Sequence, residues 1–138
     1  ARMARLLRLH YGAVELAHGA APEATKRALD AYFAGDVGAL ASLQTATRGS
    51  LFQRGVWAAL RTIPPGATTT YGELAAKLGR PNASRAVGLA NGANPIAVVV
   101  PCHRVIGANG DLTGYGGGLP RKRWLLDHER RYAPPPKA

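Results

Sequence analysis

The sequence predicts an α+β chain, with a small N-terminal α/β segment over residues 1–50 and a mainly helical C-terminal domain over 51–138. Three observations carry this prediction. Apolar residues recur at helical spacing in several stretches. The β-branched run Val98-Val99-Val100, bounded by Asn94-Pro95 and Pro101, reads as a short buried strand. The polar stretch 45–50, Thr-Ala-Thr-Arg-Gly-Ser, breaks the pattern where two units would meet.

Taken in order, Arg5 to Gly12 reads as a strand or short helix with a turn, and Ala13 to Leu16 as a second strand. His10 and His18 lack metal-ligand company and read as ordinary surface or core residues. Pro22 opens a helix in which Ala24, Ala28, Leu29, Tyr32 and Phe33 repeat, closed by Gly35. Ser50 caps the next helix, whose stripe is Phe52, Val56, Trp57, Leu60 and Ile63, stopped by Pro64-Pro65-Gly66. Thr70 caps a helix from Tyr71 to Leu78, with Leu74, Ala75 and Leu78 inward and Gly79 past its end. Another helix runs from about Ala83 to Asn91. Two short helices joined by a tight turn read as a helix-turn-helix, and the small residues Ala83, Ala86, Gly88, Ala90 and Gly92 give the second a thin side-chain coat. Close approach to a partner and tight helix packing both account for that coat. Asn109-Gly110 marks a tight turn, and the glycines around Tyr115 imply unusual backbone angles or a flexible loop. Pro120 opens a final helix to Glu129 with Trp124 and Leu125 inward, and a disordered tail follows from about residue 130.

Composition narrows the function. No apolar run approaches the ~18 residues of a membrane-spanning helix, and no secretory signal pattern is present, so no membrane partner is expected. A single cysteine excludes an internal disulfide and a cysteine-rich zinc site, and points to a reducing, intracellular setting. The formal charge is +10, and it is uneven: residues 51–138 hold 12 Lys/Arg against 4 Asp/Glu, residues 1–50 hold 6 against 4. Nucleic acid is the leading partner for so basic a domain, with a merely solvated surface as the alternative.

That cysteine, Cys102, stands after Pro101 and directly before His103 and Arg104. An isolated cysteine is commonly a small buried hydrophobe. A histidine and cationic neighbours favour the reactive thiolate instead. Adjacent residues on a strand point to opposite faces, so contact between Cys102 and His103 would need a bend, a turn of helix or a bridging water.

Together these pieces resemble the alkyl-acceptor domain of the O6-alkylguanine-DNA alkyltransferases. The resemblance covers residues 51–129 and rests on Tyr71-Gly72-Glu73-Leu74-Ala75, Arg85-Ala86-Val87-Gly88, Asn94-Pro95, Pro101-Cys102-His103-Arg104-Val105, Gly114-Tyr115 and Lys122 through Leu125-Leu126 to His128-Glu129, in family order and spacing. It implies irreversible, single-turnover transfer of an alkyl group from O6-alkylguanine, and by extension O4-alkylthymine, in double-stranded DNA to Cys102, without cofactor or metal. His103 would act on the thiol through a water, Glu129 would orient the histidine, and Asn94 would tie the nearby backbone. Tyr71 would bind the flipped guanine and assist its departure. Arg85 would fill the space left in the duplex, with Ser84, Ala86, Gly88 and Arg104 as further DNA contacts. The base pocket would comprise Tyr71, Cys102, Val105, Tyr115, Gly116 and Gly117. Gly116 stands where many relatives carry serine, leaving a backbone amide to meet the guanine oxygen. A monomer in the cytoplasm acting on chromosomal DNA completes the expectation, and the N-terminal segment would be a reduced or truncated version of the family's small domain. Two other readings compete: a lesion-binding protein with an inert cysteine, and more distantly a cysteine hydrolase, for which no acyl-transfer signature stands near Cys102.

Magnitudes order the expected contributions. A thiol of pKa ~8.5 is about 3% ionised at pH 7. Lowering it by ~2 units raises that fraction roughly 25-fold, but a Brønsted slope of ~0.4–0.5 returns about eightfold in nucleophilicity. The net gain is about threefold, so in-line placement and proton transfer must dominate. Flipping the base costs a few kcal/mol, less for a damaged pair.

Overall fold

The computed structural model of the chain describes residues 23–45, 47–112, 115 and 118–133. The candidate strands before Pro22, with His10 and His18, lie outside the described residues, as do Gly114, Gly116, Gly117 and the chain from Pro134.

Helix α1 spans Glu23–Ala34, and a 3-10 turn follows at Ala39–Ser42. Gly35, at φ 122°, supplies the backbone geometry that ends α1. Helix α2, Leu51–Leu60, begins at a complete capping box: Ser50 Oγ accepts from Gln53 N while Gln53 Oε1 accepts from Ser50 N, both at 3.0 Å. Strand β1, Thr69–Thr70, leads directly into α3, Tyr71–Lys77, whose first turn is capped by Thr70 Oγ1 accepting from Glu73 N. Past its end Gly79 takes φ 75°, and Arg80 N donates back to Ala75 O. Helix α4 is Ser84–Gly92, β2 is Val105–Ile106 and α5 is Leu119–Tyr132.

Of the predicted stripe of α2, Val56, Trp57, Leu60 and Ile63 are buried with Leu74 and Ala75 of α3 and Val87 and Ala90 of α4, and Phe52 packs half-buried against them. Trp57 Nε1 donates to Ala90 O at 2.8 Å, which fixes α4 against α2. A second cluster, Tyr32, Val37, Leu40 and Leu125, joins α1 and its following turn to α5. The only sheet among the described residues pairs β1 and β2 in parallel, Thr69 opposite Val105 and Thr70 opposite Ile106. That pairing carries Tyr71, at the start of α3, just past the level of Ile106, and Tyr71 packs against the core cluster that contains Cys102.

Three expectations are corrected. Val98-Val99-Val100 is not a strand. Asn94 Nδ2 donates to Val100 O and Asn94 Oδ1 accepts from Ile96 N, closing residues 94–100 into a tight loop in which Val98 sits at φ 72°. Such a conformation is strained for a β-branched residue. Trp124 is not inward: it is 50% exposed and stacks on His128, with ring centroids 4.7 Å apart, while Leu125 and Leu126 face the core. The final helix also passes Glu129 and continues to Tyr132, where Ala133 N donates to Glu129 O, so the expected tail does not begin at residue 130.

Candidate active site

Pro101 ends the tight loop, and Cys102–Arg104 form a single 3-10 turn in which Arg104 N donates to Pro101 O. The chain thus takes a turn of helix where a continued strand would have set Cys102 and His103 on opposite faces. Cys102 is buried at 7% exposure, within the core cluster that includes Val100, Val105 and Ala75. Its carbonyl accepts from Asn91 Nδ2 of α4 at 3.4 Å.

His103 is wholly buried, and its Nε2 lies 2.7 Å from Glu129 Oε2 of α5. Three more donors converge on the same carboxylate. Arg104 Nε reaches Oε1 and Arg104 Nη2 reaches Oε2, both at 2.8 Å, and the Tyr32 hydroxyl reaches Oε2 at 2.7 Å. Burial works to raise the Glu129 pKa, but the hydrogen bonds from His103 and Arg104 and their charges hold it down at about 2. Glu129 is therefore a carboxylate, which only accepts. It follows that His103 Nε2 carries the proton. The histidine's own pKa is lowered by burial, with Glu129 opposing, so the ring is neutral and Nδ1 bears the lone pair. Nδ1 is buried and has no hydrogen-bond partner among the described residues. A neutral imidazole with a fixed tautomer and a basic nitrogen that no described residue engages, one residue from a cysteine, is equipped to accept a thiol proton.

Lys122, fully buried on α5, donates through Nζ to Val105 O at 2.7 Å. Burial lowers its pKa, and a thiolate at Cys102 would oppose that shift. Asn94, 1% exposed, acts on the loop before the cysteine and not on the sulfur.

The remaining site candidates fall on two faces. Tyr71 is half-buried at the start of α3, close enough to α4 that a side chain at Gly88 would meet its ring at 3.7 Å. Ser84 and Gly88 are half-buried, whereas Arg85 and Ala86 stand exposed on α4 with Leu89. Tyr115 packs against both core clusters, and Gly116 and Gly117 lie outside the described residues. Arg104 is corrected: it is buried, its Nη1 donates to Ile63 O at 2.6 Å, and the rest of the guanidinium is spent on Glu129, so it presents no surface to DNA. Sequence reasoning missed Tyr32 and Asn91 and gave Lys122 no role. A signal for Lys122 was present, because it shares the spacing of Leu125, Leu126 and Glu129 on one helical stripe.

No helix among the described residues is long and apolar enough to cross a membrane. Residues 51–131 match the family model described as "6-O-methylguanine DNA methyltransferase, DNA binding domain". The chain is 57% identical over 130 residues to the methylated-DNA--protein-cysteine methyltransferase of Salmonella typhimurium, covering 93% of this chain and 76% of that protein. It is 63% identical over 106 residues to the protein of the same name from Mycolicibacterium paratuberculosis, covering 77% and 64% respectively. The fold is similar to the crystal structure of Mycobacterium tuberculosis OGT in complex with DNA, with a TM-score of 0.69 and 54% identity over 80% of this chain and 68% of that one. By the matched domain, the identity to these relatives and the shared fold, the chain belongs to the 6-O-methylguanine DNA methyltransferase family.

Proposed function

We propose that this protein repairs double-stranded DNA by moving the alkyl group of an O6-alkylguanine onto Cys102, once per molecule and without a cofactor. The observation that carries the reading is the buried array of Cys102, His103 and Glu129, in which the histidine keeps Nδ1 as its basic nitrogen. In the reaction the sulfur–carbon bond forms as the carbon–O6 bond breaks. The thiol proton passes through a water to His103 Nδ1, the departing guanine oxygen takes up negative charge that a proton from the Tyr71 hydroxyl relieves, and afterwards Tyr71 regains a proton from solvent as His103 releases its own. No step removes the alkyl group from sulfur, so one protein repairs one base.

Access requires the base to leave the stack, because its O6 edge is enclosed in the duplex. Helices α3 and α4 form the DNA-binding pair, with α4 laid in the groove on its exposed Arg85 and Ala86 side and the half-buried Ser84 and Gly88 beside it. Arg85 takes the place of the flipped base. The pocket is formed around Tyr71, Cys102, Val105 and Tyr115, where the Val105 carbonyl, already accepting from Lys122, keeps a second lone pair for the guanine amine. The substrate being chromosomal DNA, the protein works in the cytoplasm, as a monomer.

The test follows the DNA. A duplex carrying one O6-methylguanine is incubated with protein, recovered and digested to nucleosides. Wild-type protein converts the lesion to guanine up to one equivalent, while Cys102→Ser binds the duplex and leaves the lesion intact. Repair by Cys102→Ser, or tight binding by the wild type without loss of the lesion, would replace this reading with lesion binding alone.

A further inference from the structure

Tyr32 lies on α1, outside the matched region 51–131, yet its hydroxyl reaches the carboxylate that holds the histidine. The contact spans 97 residues of sequence and is fully buried: Tyr32 and Glu129 are both 0% exposed. The end of α1 is held there a second time, by His128 Nε2 against Tyr32 O at 2.6 Å. Position and direction of the hydroxyl are therefore fixed by two independent contacts with α5.

The geometry decides what the hydroxyl does. Glu129 Oε2 receives Tyr32, His103 and Arg104 Nη2, whereas Oε1 receives Arg104 Nε. A buried phenol next to a carboxylate donates, and burial together with Glu129 pushes its own pKa well above the ordinary tyrosine value, so it does not ionise in the working range. Tyr32 thus shares with His103 a single acceptor atom. By taking part of the negative charge on Oε2 it limits how strongly Glu129 stabilises a protonated imidazole, and by occupying one side of that oxygen it fixes the direction from which His103 approaches.

We propose that Tyr32 is a positioning residue for alkyl transfer, so that the N-terminal segment contributes to the catalytic centre and is more than an appendage to the DNA-binding domain. The inference rests on the reading of Cys102 as alkyl acceptor. The titratable and charged groups that face the pair are Tyr32 from α1, His103 and Arg104 from the 3-10 turn, Lys122, His128 and Glu129 from α5, and Tyr115 from the loop before it.

Tyr32→Phe keeps the ring and removes the hydroxyl. The expected result is a single-turnover transfer rate about tenfold lower near pH 7, the scale on which a charged group feels the loss of one hydrogen bond, with duplex affinity unchanged. The acidic limb of the rate profile, set by protonation of His103, moves to higher pH because the carboxylate is left more basic. Site-specific 3-fluorotyrosine at position 32, a stronger donor of nearly the same size, moves the limb to lower pH. An unchanged rate and limb in the phenylalanine variant overturn the proposal. So does a lower melting temperature with a limb that stays in place, since that is what a merely structural contact gives. If the phenylalanine variant does not fold, the fluorotyrosine protein decides alone, and an unmoved limb there overturns the proposal. Wild-type protein that transfers nothing would instead defeat the alkyl-acceptor reading, which separates the two failures.

Discussion

Arg104→Met is expected to destabilise the fold by about 3–5 kcal/mol, the usual cost of removing one partner from a buried ion pair. The side chain is of similar length, so packing changes little. What is lost is a fork that satisfies both oxygens of Glu129 and the carbonyl of Ile63 together. Arg104→Lys, which keeps the charge without the planar fork, should fall between. Urea unfolding curves give the values, and pH supplies a check on their origin. Folding depresses the Glu129 pKa from 4.5 to about 2. The stabilisation this represents is present in full above the unfolded value and is lost as pH falls through the folded one. The gap between wild type and Arg104→Met should accordingly be widest above about pH 4.5 and narrow towards pH 2. A loss below about 1 kcal/mol, in the range of exposed ion pairs, would mean that the cluster is not the anchor its burial implies.

His103→Gln is expected to lower the rate of alkyl transfer by on the order of 10²–10⁴, the usual range for removing a general base, while leaving duplex affinity unaltered. Static acidification of the thiol yields only about threefold by the Brønsted balance. A large effect therefore means that the base takes the proton as the bond to carbon forms. Rapid-quench measurement of the first turnover reads this directly, and a loss of only about threefold would assign His103 to thiol acidification alone.

Much of this arrangement is written locally. Ser50, Thr70, Gly35 and Gly79 announce helix ends because capping depends on one or two residues and their immediate neighbours. The pairing of Cys102 with His103 is likewise visible in the order of residues. What escapes is decided at a distance. Val98-Val99-Val100 has strand composition, but the amide of Asn94 folds it into a loop, and a run of valines carries no sign of that tie. Arg104 reads as a surface cation until Glu129, 25 residues further on, is known to turn inward beside it. Tyr32 fits the apolar stripe of α1 equally well with or without a carboxylate above its hydroxyl. Trp124 misleads in the opposite sense, an aromatic residue adjacent to the core stripe of α5 that stacks on the surface with His128 and near Phe33.

The intact mass of the protein after incubation with a duplex containing one O6-methylguanine tests the central claim most directly. Transfer to Cys102 predicts a gain of one methylene, on the order of 14 Da, confined to the peptide that carries Cys102, saturating at one per chain and absent in Cys102→Ser, because covalent capture without a regenerating step ends after one event. An unchanged mass in protein that is demonstrably bound to the lesion, or a gain on any other residue, would contradict it.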